Sequence, residues 1–428
     1  MSLGGGGESQ SFLVLAKFCP RKPIIHMPDQ ALDHLKVLEL CNFVCGPYCT
    51  KLLADLGAEV IKVEPPGIGD ESRRRGPFLN DIPHPERSGL FLYLNTNKSG
   101  ITLDIKTTKG RAILKELIQK ADILVEDNPP KVMKELGLTY LELKKINPRL
   151  VMTSITPFGQ TGPYRAYKAH EMNLYHAGGE GYLVPTQSPD LTREPVKAGG
   201  LVGDCICGLS SAIATLAGAY NMWETGVGQY IDVSKQDVLM TMVLLEIAMY
   251  ANMGVVRNRL ERPLLMPIPM QCEDGYIMIS ALTDREWQDL VKFMGNPSWA
   301  KEERFSQWLQ RHLHGDEINP HIREFVKHYK KEELFQQLQE NALAAAPVNT
   351  SEDLVHSAQM ESRGFFAEVE HPEAGKLKHP GVPYKFSETP SKVKRAAPLL
   401  GQYNESVYCG WLGYSKEELA KLKESGIV

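Results

Sequence analysis

The sequence predicts an α/β protein with a large first domain and a smaller α+β domain after it, and three observations carry that prediction. Lys36-Val37-Leu38-Glu39-Leu40 and Glu59-Val60-Ile61-Lys62-Val63-Glu64 alternate with period two, as half-buried strands do. Between them Pro47 to Leu56 has helical spacing and stops at Gly57, a residue free to take the left-handed turn that ends helices. Farther on, Asp122-Ile123-Leu124-Val125 and Leu150-Val151-Met152-Thr153 are apolar with little alternation, the pattern of strands covered on both faces.

Taken in order, residues 1–27 read as a flexible leader built around Gly4 to Gly7. The βαβ unit follows. Ile113, Leu114, Leu117 and Ile118 then mark a helix, and Tyr140 to Lys145 another, each beside one of the apolar strands. A helical stretch from Cys205 to Tyr220 follows Asp204, and the large domain is expected to occupy 28–225. The longest apolar run, Val238 to Val256, contains Glu246 and Asn252 and reads as a buried or subunit-facing helix. Trp287, Trp299 and Trp308 lie in a charged, aromatic region, and Pro-punctuated segments run from Pro347 to Pro398. A linker helix and small domain at 226–385 and a return segment at 386–428 are expected. At 428 residues the chain exceeds what one core usually serves.

Composition narrows the function. Lys plus Arg number 48 against 52 Asp plus Glu, which leaves no field suited to nucleic acid or an anionic membrane. The 8 cysteines include no CxxC pair, pointing to reduced thiols and a cytoplasmic setting. Cys41, Cys45 and Cys49 recur every fourth residue, but Gly46-Pro47 reads as a helix start between them, so no metal site is expected there. There is no phosphate-binding G-x-x-x-x-G-K-[ST] motif, and the glycine tract lies in the leader rather than after a strand.

Several passages together resemble the family III coenzyme A transferases, the CaiB/BaiF group. They are Leu56-Gly57-Ala58-Glu59-Val60-Ile61-Lys62-Val63-Glu64 with Gly67 and Gly69-Asp70; Leu94-Asn95-Thr96-Asn97-Lys98 with Leu103-Asp104; Asn147-Pro148-Arg149; and Gly159-Gln160-Thr161-Gly162-Pro163. Gly203-Asp204 with Gly208, Thr225-Gly226-Val227-Gly228-Gln229 with Asp232, Ala346-Pro347-Val348 and Pro398-Leu399-Leu400-Gly401-Gln402 complete the set, over about residues 34 to 428. The resemblance implies a Rossmann-like large domain and an interlocked homodimer. It also implies acyl-CoA and carboxylic acid substrates, no permanently bound cofactor, and Asp204 as nucleophile.

The chemistry is self-consistent. A carboxylate with an ordinary pKa of about 3.9 is ionised at neutral pH and attacks a thioester without a general base. Asp204 precedes a helical stretch whose amides and dipole favour an anion, and Gly200 and Gly203 would let N–H groups reach an oxyanion. The plainer reading is that Asp204 is a helix N-cap. By the resemblance, Glu171 and Lys168 line the site. Coenzyme A is expected at Val44 and Cys45, Lys98, Asp127, Asn128 and Lys131, the lysines facing phosphates.

Two departures matter. Many relatives carry arginine where this chain has Pro65, and Arg73, Arg74 or Arg75 are the candidates to replace it. Asn258 to Met270 has no glycine, unlike the loop of the formyl-transferring members, which disfavours a formyl or oxalyl specificity. The alternative within the superfamily is a 2-methylacyl-CoA racemase, with His170 and Asp204 as the acid/base pair. Against it stand Ala169-His170-Glu171 and Asp204-Cys205-Ile206-Cys207, where racemases resemble Gly-His-Asp and a phenylalanine with several glycines. A non-catalytic acyl-CoA-binding subunit is the third reading, opposed by the presence of Asp204.

Overall fold

The computed structural model describes residues 29–186, 191–259 and 268–428. The leader expected at 1–27 lies outside the described residues, as does most of the glycine-free stretch. Six strands, β1 (Lys36–Leu40), β2 (Glu59–Glu64), β3 (Ser99–Thr102), β4 (Ile123–Glu126), β5 (Val151–Thr156) and β6 (Tyr230–Ser234), form one parallel sheet in the order β3-β2-β1-β4-β5-β6. This is the Rossmann order, which reverses between β1 and β4 and opens a crevice at their carboxyl ends.

Alternation along the strands supplies the sheet with two apolar faces. Leu38, Ile61, Val63, Leu124 and Met152 pack with Ile113, Leu114, Leu117 and Ile118 of the Thr108–Lys120 helix. Val37, Val60, Val125, Val151 and Ile155 pack with the Cys45–Asp55 and Val202–Thr225 helices on the other side. Each fully buried side chain of this size contributes roughly 1.5–3 kcal/mol relative to exposure. The chain end returns to the first of these faces, where Val407, Tyr408, Leu419 and Leu422 are buried. Tyr408 Oη donates to Thr102 O at 2.7 Å, fastening the return to β3.

A separate core forms around the three-stranded antiparallel sheet of Met270–Gln271, Tyr276–Ser280 and Ala344–Pro347, with Trp287, Leu290, Ile318, Ile322, Leu334 and Leu338 buried against it. The Val202–Thr225 helix is long and apolar enough to cross a membrane, but a stripe of Ser211, Ala212, Thr215, Gly218 and Ala219 is buried within the protein. Thr215 Oγ1 lies 2.7 Å from Thr153 Oγ1 of β5.

One expectation changes. The apolar run from Val238 is broken into Lys235–Met240, a short turn and Leu244–Met253, and the last piece buries none of its residues. Leu244, Leu245, Ile247, Tyr250 and Met253 are exposed, so a helix buried within this chain is ruled out there. Cys41 precedes the Cys45–Asp55 helix and is buried in the same core as Cys45 and Cys49, and no cluster of three or more metal-binding side chains occurs among the described residues.

Candidate active site

Asp204 lies in the first turn of the Val202–Thr225 helix, which begins three residues before the expected Cys205. The N-cap is Leu201 and makes no side-chain cap, so the reading of Asp204 as a capping residue is corrected. Its carboxylate is buried, with the side chain 4% exposed, beside the amino-terminal amides of the helix, where the dipole favours an anion. Lys235 Nζ donates to Asp204 Oδ1 at 2.7 Å.

Lys235 stands directly after β6, at the start of the Lys235–Met240 helix. Burial works against its charge, yet Cys45, Asp204 and Asp127 around it raise the ammonium above the ordinary lysine value. The motif reading missed this residue. A usable signal was present: a cation at a helix start opposes the dipole and implies a specific anionic partner.

Glu171 opens the Glu171–Ala177 helix and is buried. Its Oε1 accepts from Gly203 N at 3.2 Å, and its Oε2 lies 3.3 Å from Lys197 Nζ. Glu171 therefore ties down the turn that presents Asp204. The Gly203 N–H is engaged by that carboxylate and is not offered to an oxyanion, which corrects the earlier expectation. A Cβ at Gly203 would come within 2.9 Å of Glu171 Oε1, so the close approach needs glycine. Lys197, a second residue the motifs did not flag, also donates to Ala198 O at 2.8 Å.

The crevice between β1 and β4 holds the expected coenzyme A loop. Val44 and Cys45 are buried at the start of the Cys45–Asp55 helix, and burial pushes the Cys45 thiol well up. Asp127 follows β4 and accepts from Asn42 N through both oxygens, at 3.1 and 3.0 Å. Loss of solvent pushes Asp127 up to about 8, against the pull of the Asn42 N–H and Lys235. Asn128 Nδ2 donates to Leu40 O at 3.2 Å, tying the two strand ends together. Lys131 and Lys168 are exposed, Lys131 lying 3.6 Å from Glu135.

Other expected residues are placed elsewhere. Lys98 is fully buried and donates to Glu39 Oε2, Asn95 Oδ1 and Pro47 O at 2.8, 2.9 and 2.8 Å. Its three N–H donors are engaged inside the protein, so a phosphate contact from Lys98 is corrected to a bracing role. Arg73 is likewise buried on Glu64, with Nε–Oε2 at 2.7 Å and Nη2–Oε1 at 2.8 Å, leaving Arg74 and Arg75 as the exposed arginines of that run. His170 is exposed, and its backbone N–H donates to Asn173 Oδ1 at 2.9 Å.

The family model for CoA-transferase family III matches residues 32–404. The chain is 31% identical over 405 residues to the succinyl-CoA–D-citramalate CoA-transferase of Chloroflexus aurantiacus, covering 94% of this chain and 99% of that one. It is also 31% identical over 424 residues to the formyl-CoA:oxalate CoA-transferase of Streptomyces coelicolor, covering 94% and 100%. A crystal structure of a CaiB/BaiF family protein from Brucella suis superposes with a TM-score of 0.79 at 29% identity, covering 89% and 99% of the two chains. With the Rossmann strand order, Asp204 at the helix start and a match across most of its length, the chain belongs to CoA-transferase family III.

Proposed function

We propose that the chain moves coenzyme A from an acyl-CoA donor to a carboxylic acid, with Asp204 as covalent carrier. The observation that supports this most is a buried carboxylate with a single ammonium partner, set at a helix start beside the sheet's crevice. The Asp204 oxygen attacks the thioester carbonyl, a C–O bond forms, the C–S bond breaks, and coenzyme A leaves as thiolate. The product is a mixed anhydride. The thiolate then attacks Asp204 Cγ, releasing the donor acid as carboxylate and leaving an enzyme thioester. The acceptor carboxylate runs both steps in reverse.

Coenzyme A is assigned to the crevice at Val44, Cys45, Asp127 and Asn128, with Lys131 and Lys168 free to face its phosphates. The exposed apolar side chains Leu209, Ile213, Tyr220 and Trp223, together with the Leu244–Met253 helix, suit a second copy of the chain. Succinyl-CoA is the first donor to test, with D-citramalate and oxalate as first acceptors. The test follows new acyl-CoA by chromatography in deuterated buffer across a panel of donors and acids. Exchange of coenzyme A between acids is expected. Deuterium entering the α-carbon without such exchange would replace this reading with a racemase, and neither result would leave a binding subunit.

A further inference from the structure

Lys235 raises a question that the nucleophile alone does not. Its side chain is 17% exposed and donates to Asp204, whose side chain is 4% exposed, and it also faces Cys45 and Asp127. Asp204 is the carboxylate that the Lys235 ammonium touches, at 2.7 Å, and so the negative charge that balances it directly. That charge disappears once Asp204 is acylated or carries a thioester, whereas the ammonium stays. An unpaired ammonium in such a place is costly.

Each step of the cycle, however, creates one anion close to Asp204. Attack by Asp204 consumes its carboxylate and releases the coenzyme A thiolate. Attack by the thiolate consumes that charge and releases the donor carboxylate. Acceptor entry restores a carboxylate. We propose that Lys235 is the anion receptor of the transfer cycle, holding in turn Asp204, the thiolate, the departing carboxylate and the arriving one. This rests on the transferase reading, and it gives the acceptor site a definite chemistry: a carboxylate seated on Lys235, available only when Asp204 is uncharged.

The test is independent of substrate identity. Asp204→Asn keeps the side-chain shape but removes the charge, so it mimics the acylated state. Succinate binding is measured by calorimetry and by thermal shift at about pH 6.5, below the value at which Asp127 ionises. Asp204→Asn should bind succinate at least ~10-fold more tightly than the wild type, the scale of one charge-assisted hydrogen bond. Lys235→Met added to Asp204→Asn should abolish the gain, and Lys235→Arg should retain most of it. Equal binding by wild type and Asp204→Asn, or a gain that survives Lys235→Met, would overturn the proposal. Should the wild type fail to exchange coenzyme A while the Lys235-dependent gain persists, the transferase reading fails and the anion receptor stands.

Discussion

Two buried lysine–carboxylate assemblies lie in the same domain, and they differ in whether any charge is left to do something. Around Glu39, Lys62 Nζ donates to Glu39 Oε1 and Asp70 Oδ2, both at 2.7 Å, and Lys98 takes Glu39 Oε2 at 2.8 Å, with Thr50 Oγ1 on Glu39 Oε2 at 2.6 Å. Lys62, Glu39 and Lys98 are all 0% exposed. Burial, only partly opposed by Glu39 and reinforced by repulsion from Lys62, pulls Lys98 down to about 8. At the other assembly, a single carboxylate and a single ammonium meet at the open end of the sheet. Closed networks of the first kind brace β1 and β2. A pair with one partner on each side can exchange that partner during a reaction.

Asp204→Ala should lower turnover on the order of 10⁴-fold or more, as loss of a covalent nucleophile does, with a smaller loss of stability than a fully buried network suffers, because the Lys235 ammonium left behind is 17% exposed and reaches water. Full turnover in this variant would refute nucleophile and acid/base roles alike. Lys62→Met should do the reverse. Breaking a fully buried network by removing one member costs about 3–5 kcal/mol of stability, seen in denaturant titration, with activity per folded molecule preserved. A neutral effect on stability would erase the distinction between the two assemblies.

Asp127 connects the regions and has the smallest effect. Its folded-state pKa is raised from 3.8 to about 8, so the folded protein holds the proton more tightly than the unfolded chain does. The stability it contributes is full at low pH and is lost as pH rises through that interval. Glu126 beside it, pushed up to about 7 by burial, acts in the same direction. Asp127→Asn should flatten the fall in melting temperature between about pH 5 and pH 8. An unchanged slope would show that Asp127 is not protonated in the folded protein.

The sequence made the interior strands legible and left the edges obscure, for a physical reason. β1 and β2 coincide with their predicted ranges because their period-two patterns are uninterrupted. β3 is four residues with one large apolar side chain, Ile101, and β6 is five with only Ile231 and Val233 alternating around Asp232, too short a pattern to mark a strand. Both are edge strands, fixed by pairing with a neighbour. Asp204 and Glu171 were legible through motif position. Lys98 sat in a motif too, but a motif does not say whether a charge faces ligand or another buried charge. Lys235 lies outside the quoted motifs, and Lys197 sits in the loop before Asp204, where nothing in its spacing says that it turns back onto Glu171.

Whether Asp204 is the covalent carrier is decided by mixing the protein with succinyl-CoA and other acyl-CoA donors in the absence of acceptor, then digesting it and weighing the peptide that contains Asp204. Coenzyme A or acyl mass should appear on Asp204, be released by hydroxylamine or by an acceptor acid, and be missing from Asp204→Ala. Coenzyme A exchange that proceeds at full rate with Asp204 unmarked would contradict that role.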